Sequence, residues 1–375
     1  MSAQATPSPR IAPADLGLLQ ARIREAAARG QVLQIRGQGS KQFYGGEPWG
    51  ELLELGELPG LSGISAYEPT ELVVTAKAAT PLAELEALLA AQGQHLAFEP
   101  PRFDGRGTVG GMVAAGLSGP SRATQGSLRD HVLGLTMVNG RGELLSFGGT
   151  VMKNVAGYDL PRLMCGGLGV LGVIAEVSLK VLPLPVARCT LRFDMPEAEA
   201  LQQMNRWSGR PLPLRASAAW DGALVLELAG AERAVAAARR ELGGELIPED
   251  LATGFWRGLR DHSDEFFVGA CRAVQGGAKL WRLSLPQTAP SLRIPGEQMI
   301  EWGGAQRWVT TPLPAAQLRE LAAQAGGHAT LFRALDKSEG VFSPLSAPLA
   351  RIHRDLKTAF DPSGIFNRGR LYPDF

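Results

Sequence analysis

Three stretches in the first half of the chain, Arg36-Gly37-Gln38-Gly39-Ser40-Lys41, Thr108-Val109-Gly110-Gly111 and Gly166–Gly172, crowd glycine against segments that otherwise read as strands or helices. Glycine costs backbone entropy wherever it sits, so such clusters mark places where the chain needs a left-handed turn or a very close approach by another group. No repeat at solenoid spacing accompanies them. The region reads as short strands punctuated by glycine with helices between, an α+β or α/β unit.

Apolar Leu16, Leu19, Ile23 and Ala26 recur at helical spacing behind Asp15, a candidate N-cap, and Gly30 stops the pattern. Strands are expected at Val32–Ile35, Glu51–Leu55 and Leu72–Ala76, and a helix over Pro81–Ala91 behind Thr80. Val132–Val138, the turn Asn139-Gly140 and Glu143–Phe147 make a hairpin by the Asn-Gly rule. Over Val173–Val181 the side chains alternate, with Glu176, Ser178 and Lys180 on one face, until Pro183 ends the strand. Past Pro185 the pattern changes to a second α+β region, with strands at Cys189–Phe193 and Leu224–Leu228 and helices at Pro196–Trp207 and Glu232–Leu242. A last helix over Leu349–Phe360 runs into FDPSGIFNRGRLYPDF, whose Pro and Gly turns suit a docked tail. The expected division is residues 1–185, 186–345 and a returning segment 346–375.

Composition removes several functions. The 38 Lys and Arg nearly cancel the 37 Asp and Glu over 375 residues, so no global field gathers nucleic acid. Cys165, Cys189 and Cys271 lie far apart without a C-x-x-C pair, so neither a disulfide framework nor an iron–sulfur or zinc site is expected, and no metal is assigned. The start, MSAQATPSPRIAP, lacks an apolar signal region, and the Cys165–Ala175 run is too short to span a bilayer. A cytoplasmic protein is expected, with peripheral docking at a membrane through partners left open.

Gly167-Leu168-Gly169-Val170-Leu171-Gly172 matches G-x-G-x-x-G, but a dinucleotide fingerprint must follow a strand and open a helix. Here a helix-like Tyr158–Met164 precedes and a strand follows, so a nicotinamide Rossmann site is rejected; no P-loop string exists either. The segment Val32–Lys41 differs, because a strand enters a loop where Gly37 and Gly39 let successive N–H groups converge on an anion such as a pyrophosphate. A tight turn with solvated polar residues is the competing reading. In Thr108–Gly119, Thr108 can cap a short helix whose start, bare at Gly110 and Gly111, can touch a cofactor phosphate or ring edge. Close helix–sheet packing is the alternative there.

Read in order, RGQGSK, FEPP, TVGGMVAAGLSGP, GSLRDHVLGL, the stretch from GGTVMKNVAGYDL to SLKVLP, and FDPSGIFNRGRL resemble the flavoproteins of the vanillyl-alcohol oxidase and p-cresol methylhydroxylase type over about half of the chain. The resemblance implies an α+β fold, a two-subdomain FAD-binding domain with a smaller α+β cap. It implies that Arg36, Gly37, Gln38, Gly39, Ser40 and Lys41 wrap the FAD pyrophosphate, and that Pro100, Thr108, Gly110, Gly111 and Ala114 line the flavin and ribityl path. Gly119 and Gly126 would follow the same cleft, Ile174 would meet the adenine end, and Asn367 and Arg370 would return towards the isoalloxazine ring. Relatives with covalent flavin often carry a histidine in the first glycine loop; none stands here, so FAD is expected to be non-covalent.

Within the family, the resemblance implies an FAD-binding subunit of a complex that oxidises glycolate, a small 2-hydroxy acid, to glyoxylate. Its partners would be a larger homologous flavin subunit and an iron–sulfur subunit that takes the electrons. Related hydroxyacid dehydrogenases have a histidine-rich metal site near a G-D-G-N-x-H string, absent from this sequence, and His95, His131, His262, His328 and His353 are scattered singly. No catalytic residue is assigned. Lys153 and Tyr158 are weighed as neighbours of the ring and read mainly as braces of a helix near Gly157. A self-sufficient hydroxyacid or polyol oxidoreductase and a non-catalytic assembly subunit remain as alternatives.

Overall fold

The structure is a computed structural model that describes residues 13–149 and 159–374. Lys153, Tyr158 and the helix start near Gly157 lie outside the described residues. The first helix, α1 (Pro13–Arg29), buries Leu16, Leu19, Ile23 and Ala26 as one stripe. It starts two residues before the expected cap, so Asp15 falls inside its first turn. Gly30 ends it in a left-handed conformation, with the Gln31 N–H donating to Ala26 O at 2.9 Å.

The strands in chain order are β1 (Leu33–Arg36), β2 (Glu51–Glu54), β3 (Ile64–Glu68), β4 (Val73–Lys77), β5 (Gln94–His95), β6 (Val132–Val138), β7 (Leu144–Gly148), β8 (Val173–Lys180) and β9 (Leu182–Pro183). β1 and β2 pair in parallel, and β3-β4-β8-β6-β7 form a five-stranded antiparallel sheet. Helix α2 (Leu82–Ala90) falls inside the expected Pro81–Ala91, and α3 (Val109–Ala115) packs against the paired strands β4 and β8.

Two local expectations change on contact with the fold. β8 is the central strand and is buried along both faces, so its polar alternation does not mark a wet side. Glu176 instead accepts from Ser65 Oγ at 2.5 Å, and Ser178 pairs with Thr75 at 2.9 Å. The β6–β7 hairpin forms, but not through an Asn139-Gly140 type I′ turn. Asn139 Oδ1 accepts the N–H groups of Arg141 and Glu143, and the left-handed residue is Gly142. Gly140 is needed for close approach, because a Cβ there would collide with Asp361.

The second sheet takes all its strands from residues 187–333: β10 (Ala187–Asp194), β11 (Leu214–Trp220), β12 (Ala223–Gly230), β13 (Glu245–Ile247), β14 (Lys279–Ser284), β15 (Glu297–Glu301), β16 (Gln306–Thr311) and β17 (His328–Arg333). Their order is β13-β10-β12-β11-β15-β16-β14-β17, antiparallel throughout. Its helices include Glu197–Ser208 and Glu232–Leu242, as the spacing of apolar residues requires. An aromatic cluster of Phe43, Tyr44, Phe103, Phe267, Trp308 and Phe332 joins this sheet to the first half of the chain.

The C-terminal segment returns to β1. The Leu33 N–H donates to Ile365 O at 2.7 Å and the Asn367 N–H to Leu33 O at 3.0 Å. Behind this junction Lys357 is buried, its Nζ donating to Asp361, Val170 O and Phe366 O between 2.7 and 2.9 Å. Asp361 also accepts the Ile365 and Phe366 N–H groups. Removing one partner of a buried pair strands the other charge, so Lys357→Met is expected to lower stability by about 3–5 kcal/mol in urea denaturation, where an exposed change such as Arg351→Met costs little.

Candidate functional site

A cavity of about 110 Å³ opens where the β1–loop, α3, the Leu168–Gly172 turn and the tail meet. Of the expected residues, Arg36 to Lys41, Thr108, Gly110, Gly111, Ala114, Ile174, Asn367 and Arg370 line it together. Pro100, Gly119 and Gly126 do not. Pro100 is buried next to Pro101 of a separate small void, Gly119 borders that void too, and Gly126 caps the short helix Arg122–Gln125 with φ +88°.

The loop after β1 is the donor surface. Among the described residues no acceptor takes the backbone N–H of Gly37, Gln38, Gly39, Ser40 or Lys41. Gly39 has φ +71°, which alternates the backbone and turns successive amides to one side, the arrangement of an anion nest. Gly37 lies so close to Thr108 that a Cβ would overlap its hydroxyl, and Gln38 Oε1 accepts the Gly107 N–H at 2.8 Å. Arg36 is spent on Glu54, 2.9 Å away, so it braces β2 rather than facing the cavity with a free charge.

The α3 terminus works differently from the expectation. Its Val109 N–H donates to Thr80 O at 3.0 Å, Gly110 N–H to Ala78 O at 2.8 Å, and Gly111 N–H to the capping Thr108 Oγ1 at 3.2 Å. These amides are occupied, so α3 offers smoothness rather than donors. Gly110 serves helix–sheet packing, since a Cβ there would sit 2.8 Å from Ala78 Cβ.

The tail residues are clamps. Asn367, itself at φ +40°, accepts the Ile35 N–H on Oδ1 and donates from Nδ2 to Leu168 O, both at 2.7 Å. Arg370 donates to Gln42 O at 3.1 Å, Tyr44 O at 2.5 Å and Gly46 O, and burial pushes its pKa down to about 10. Both polar ends are consumed in holding the loop from behind. The glycine string rejected as a Rossmann fingerprint enters the cavity all the same: Gly169 and Gly172 have positive φ, and a Cβ on Gly169 would press on Asn367 Nδ2 at 2.6 Å. That near-contact was not legible from spacing.

Among the described residues lining the cavity, Lys41 is a cation without a hydrogen-bond partner. Lys41 Nζ is buried without a hydrogen-bond acceptor, 5.5 Å from the Phe103 ring centre, and burial lowers its pKa to about 8 against the pull of Asp261 and Glu86. Among the described residues lining the cavity there is no histidine, cysteine or tyrosine. No described residues form a group of three or more candidate metal ligands, and no described helix is long and apolar enough to cross a membrane.

A Gly-rich loop with unclaimed amides, folded against a capped helix and closed by a returning tail, defines an FAD-binding protein of the vanillyl-alcohol oxidase type. The family model described as FAD binding domain matches residues 7–148. A solved structure of alkyldihydroxyacetonephosphate synthase shares the fold with a TM-score of 0.63 at 15% identity, over 93% of this chain and 73% of that one. Glycolate oxidase subunit GlcE of Escherichia coli (strain K12) is 46% identical over 352 residues, 94% of this chain and 96% of that one, and the chain belongs to this family of FAD-binding subunits. Glycolate oxidase subunit GlcD of Bacillus subtilis (strain 168) is 35% identical over 108 residues, 28% of this chain and 23% of a longer one.

The cradle fits a diphosphate: five unclaimed amides, an unpartnered ammonium and positions where a Cβ has no room. Gly37→Ala is therefore expected to push the two loops apart and lower flavin content at least tenfold, read as the flavin-to-protein absorbance ratio. Adding Thr108→Ala removes the colliding hydroxyl and recovers part of it, at about 1 kcal/mol of lost helix capping.

Proposed function

We propose that this chain is the FAD-binding subunit of a complex that oxidises glycolate to glyoxylate. Similarity to GlcE over nearly the full length of both chains supports the assignment, and the unclaimed amides of Gly37–Lys41 facing a shared cavity carry it. We take FAD to be held without a covalent bond, because the first glycine loop, Arg36–Lys41, carries no histidine. In this reading Pro100, Gly119 and Gly126 belong to the ring end of the same cleft, and the chain divides into an FAD-binding domain at 1–185, a cap at 186–345 and a returning segment at 346–375.

When bound, FAD supplies a two-electron acceptor. The chain's own residues do the rest: loop amides bind the diphosphate, Lys41 balances its charge, and Asn367 and Arg370 fix the loop that presents them. The partners are a larger, similar flavin chain of the GlcD kind and an iron–sulfur subunit that receives the electrons, since this sequence has no cysteine pattern for a cluster. The complex is placed in the cytoplasm, with any membrane contact made through those partners.

Purified alone, the chain is expected to be yellow, to release its flavin on heating, and to bleach anaerobically with glycolate only after the other subunits are added. Bleaching by glycolate without them establishes a self-sufficient oxidoreductase, and a colourless protein that refuses FAD establishes an assembly role. FAD affinity is expected to fall as pH rises through about 8, where the Lys41 ammonium loses its proton, because the unprotonated amine no longer attracts the diphosphate. Lys41→Met should bind FAD roughly tenfold to a hundredfold more weakly at pH 7 and show no such step in calorimetric titration.

A further inference from the structure

The void bordered by Gly119 is lined by residues carrying polar atoms that no described residue satisfies. It leaves about 10 Å³ for the centre of a water molecule, between the Pro101–Gly119 region and the sheet of residues 187–333. Its walls include Glu301 of β15, Gln306 and Trp308 of β16, Arg282 of β14, and His262 at the end of the helix Glu249–Asp261. Glu301 is 3% exposed; Trp308 Nε1 and Gln306 Nε2 donate to its Oε2 at 2.6 and 3.0 Å, and no donor among the described residues reaches Oε1. His262 Nδ1, Arg282 Nε and Gln306 Oε1 are buried without partners. Leaving such groups unsatisfied costs about 1–3 kcal/mol each, and a void of this size with two to four polar partners is what a single internal water requires.

We infer that the void holds one water, shared by Glu301, His262, Arg282 and Gln306, and that through it Glu301 stores and exchanges a proton with the ring end of the cofactor cleft. This rests on the flavin reading above, in which Gly119 of the void belongs to the ring end of the cleft. The space admits one heavy atom, so a small 2-hydroxy acid is not its occupant. Glu301 acts through the water and not by touching a substrate.

The electrostatics agree with a proton store. Burial raises the Glu301 carboxyl to about 7, with Asp264 and Glu99 pushing the same way and the Trp308 and Gln306 donors opposing. Burial and the nearby Arg333 and Arg282 hold His262 well below its ordinary value, so it stays neutral and offers one donor and one acceptor. Arg260 also lines the void but is committed to Asp261, and Asp264, raised to about 6, caps the helix from Glu265 through the Phe267 N–H.

The test is a spectroelectrochemical titration of the full chain loaded with FAD, from pH 5 to 9. A carboxyl that responds to charge on the ring bends the plot of midpoint potential against pH near its own pKa. The reduced ring's own N1 proton also bends such a plot near neutrality, so the expected result is a bend that shifts or loses amplitude in Glu301→Gln and matches wild type in Asp264→Asn; identical plots for wild type and Glu301→Gln overturn the proposal. Failure of wild type to take up FAD overturns the flavin reading instead. A readout free of flavin is denaturant stability. A carboxyl raised from 4.5 in the unfolded chain to about 7 in the folded one makes wild type lose stability as pH rises between those values, and Glu301→Gln should lose less. Equal losses, or a high-resolution crystal structure with a dry void, also overturn it.

Discussion

The cofactor cleft depends on backbone amides that the rest of the chain leaves alone. A loop whose N–H groups from Gly37 to Lys41 meet no acceptor among the described residues has given up the usual means of holding its own shape, and this one is held from the outside. Gln38 ties it to Gly107, Arg36 to Glu54, and Asn367 and Arg370 grip the carbonyls and amides on its far side. Three segments, at Glu54, Gly107 and Asn367–Arg370, therefore stiffen six residues of loop. Rigidity bought this way means that the donors need not be gathered again when a diphosphate arrives.

How much of this was legible in the sequence follows from what kind of information each feature uses. The β1–loop could be read because a nest needs glycine at fixed positions after a strand, and RGQGSK supplies them. The pairing of that loop with Thr108 was legible only through the order of motifs resembling a known family, since no local rule brings Gly37 against a hydroxyl seventy residues on. The same resemblance sends the tail residues Asn367 and Arg370 towards the isoalloxazine ring; the structure puts them in the cavity of the β1 loop. Their clamping geometry was not readable, because a side chain that bonds backbone leaves no pattern among side chains.

Where local rules failed, tertiary packing had overridden them. Asn139-Gly140 looks like a two-residue turn, but the helix ending at Phe360 lies against Gly140 and the turn is widened to Gly142. The alternation in β8 suggests one wet face, yet the strand is central and its polar residues find partners on β3 and β4. The amides of α3 looked available because a helix start has four unpaired donors by default; Thr80 and Ala78 had already claimed two of them.

The tail closes the loop late in the life of the chain. On a ribosome the segment that first shapes the cleft emerges more than three hundred residues before the one that locks it. Nascent polypeptide can fold its sheets in turn but cannot finish the grip until residue 370 is free. A product stopped before residue 367 lacks both clamps, and its loop is held only from the sides of Glu54 and Gly107.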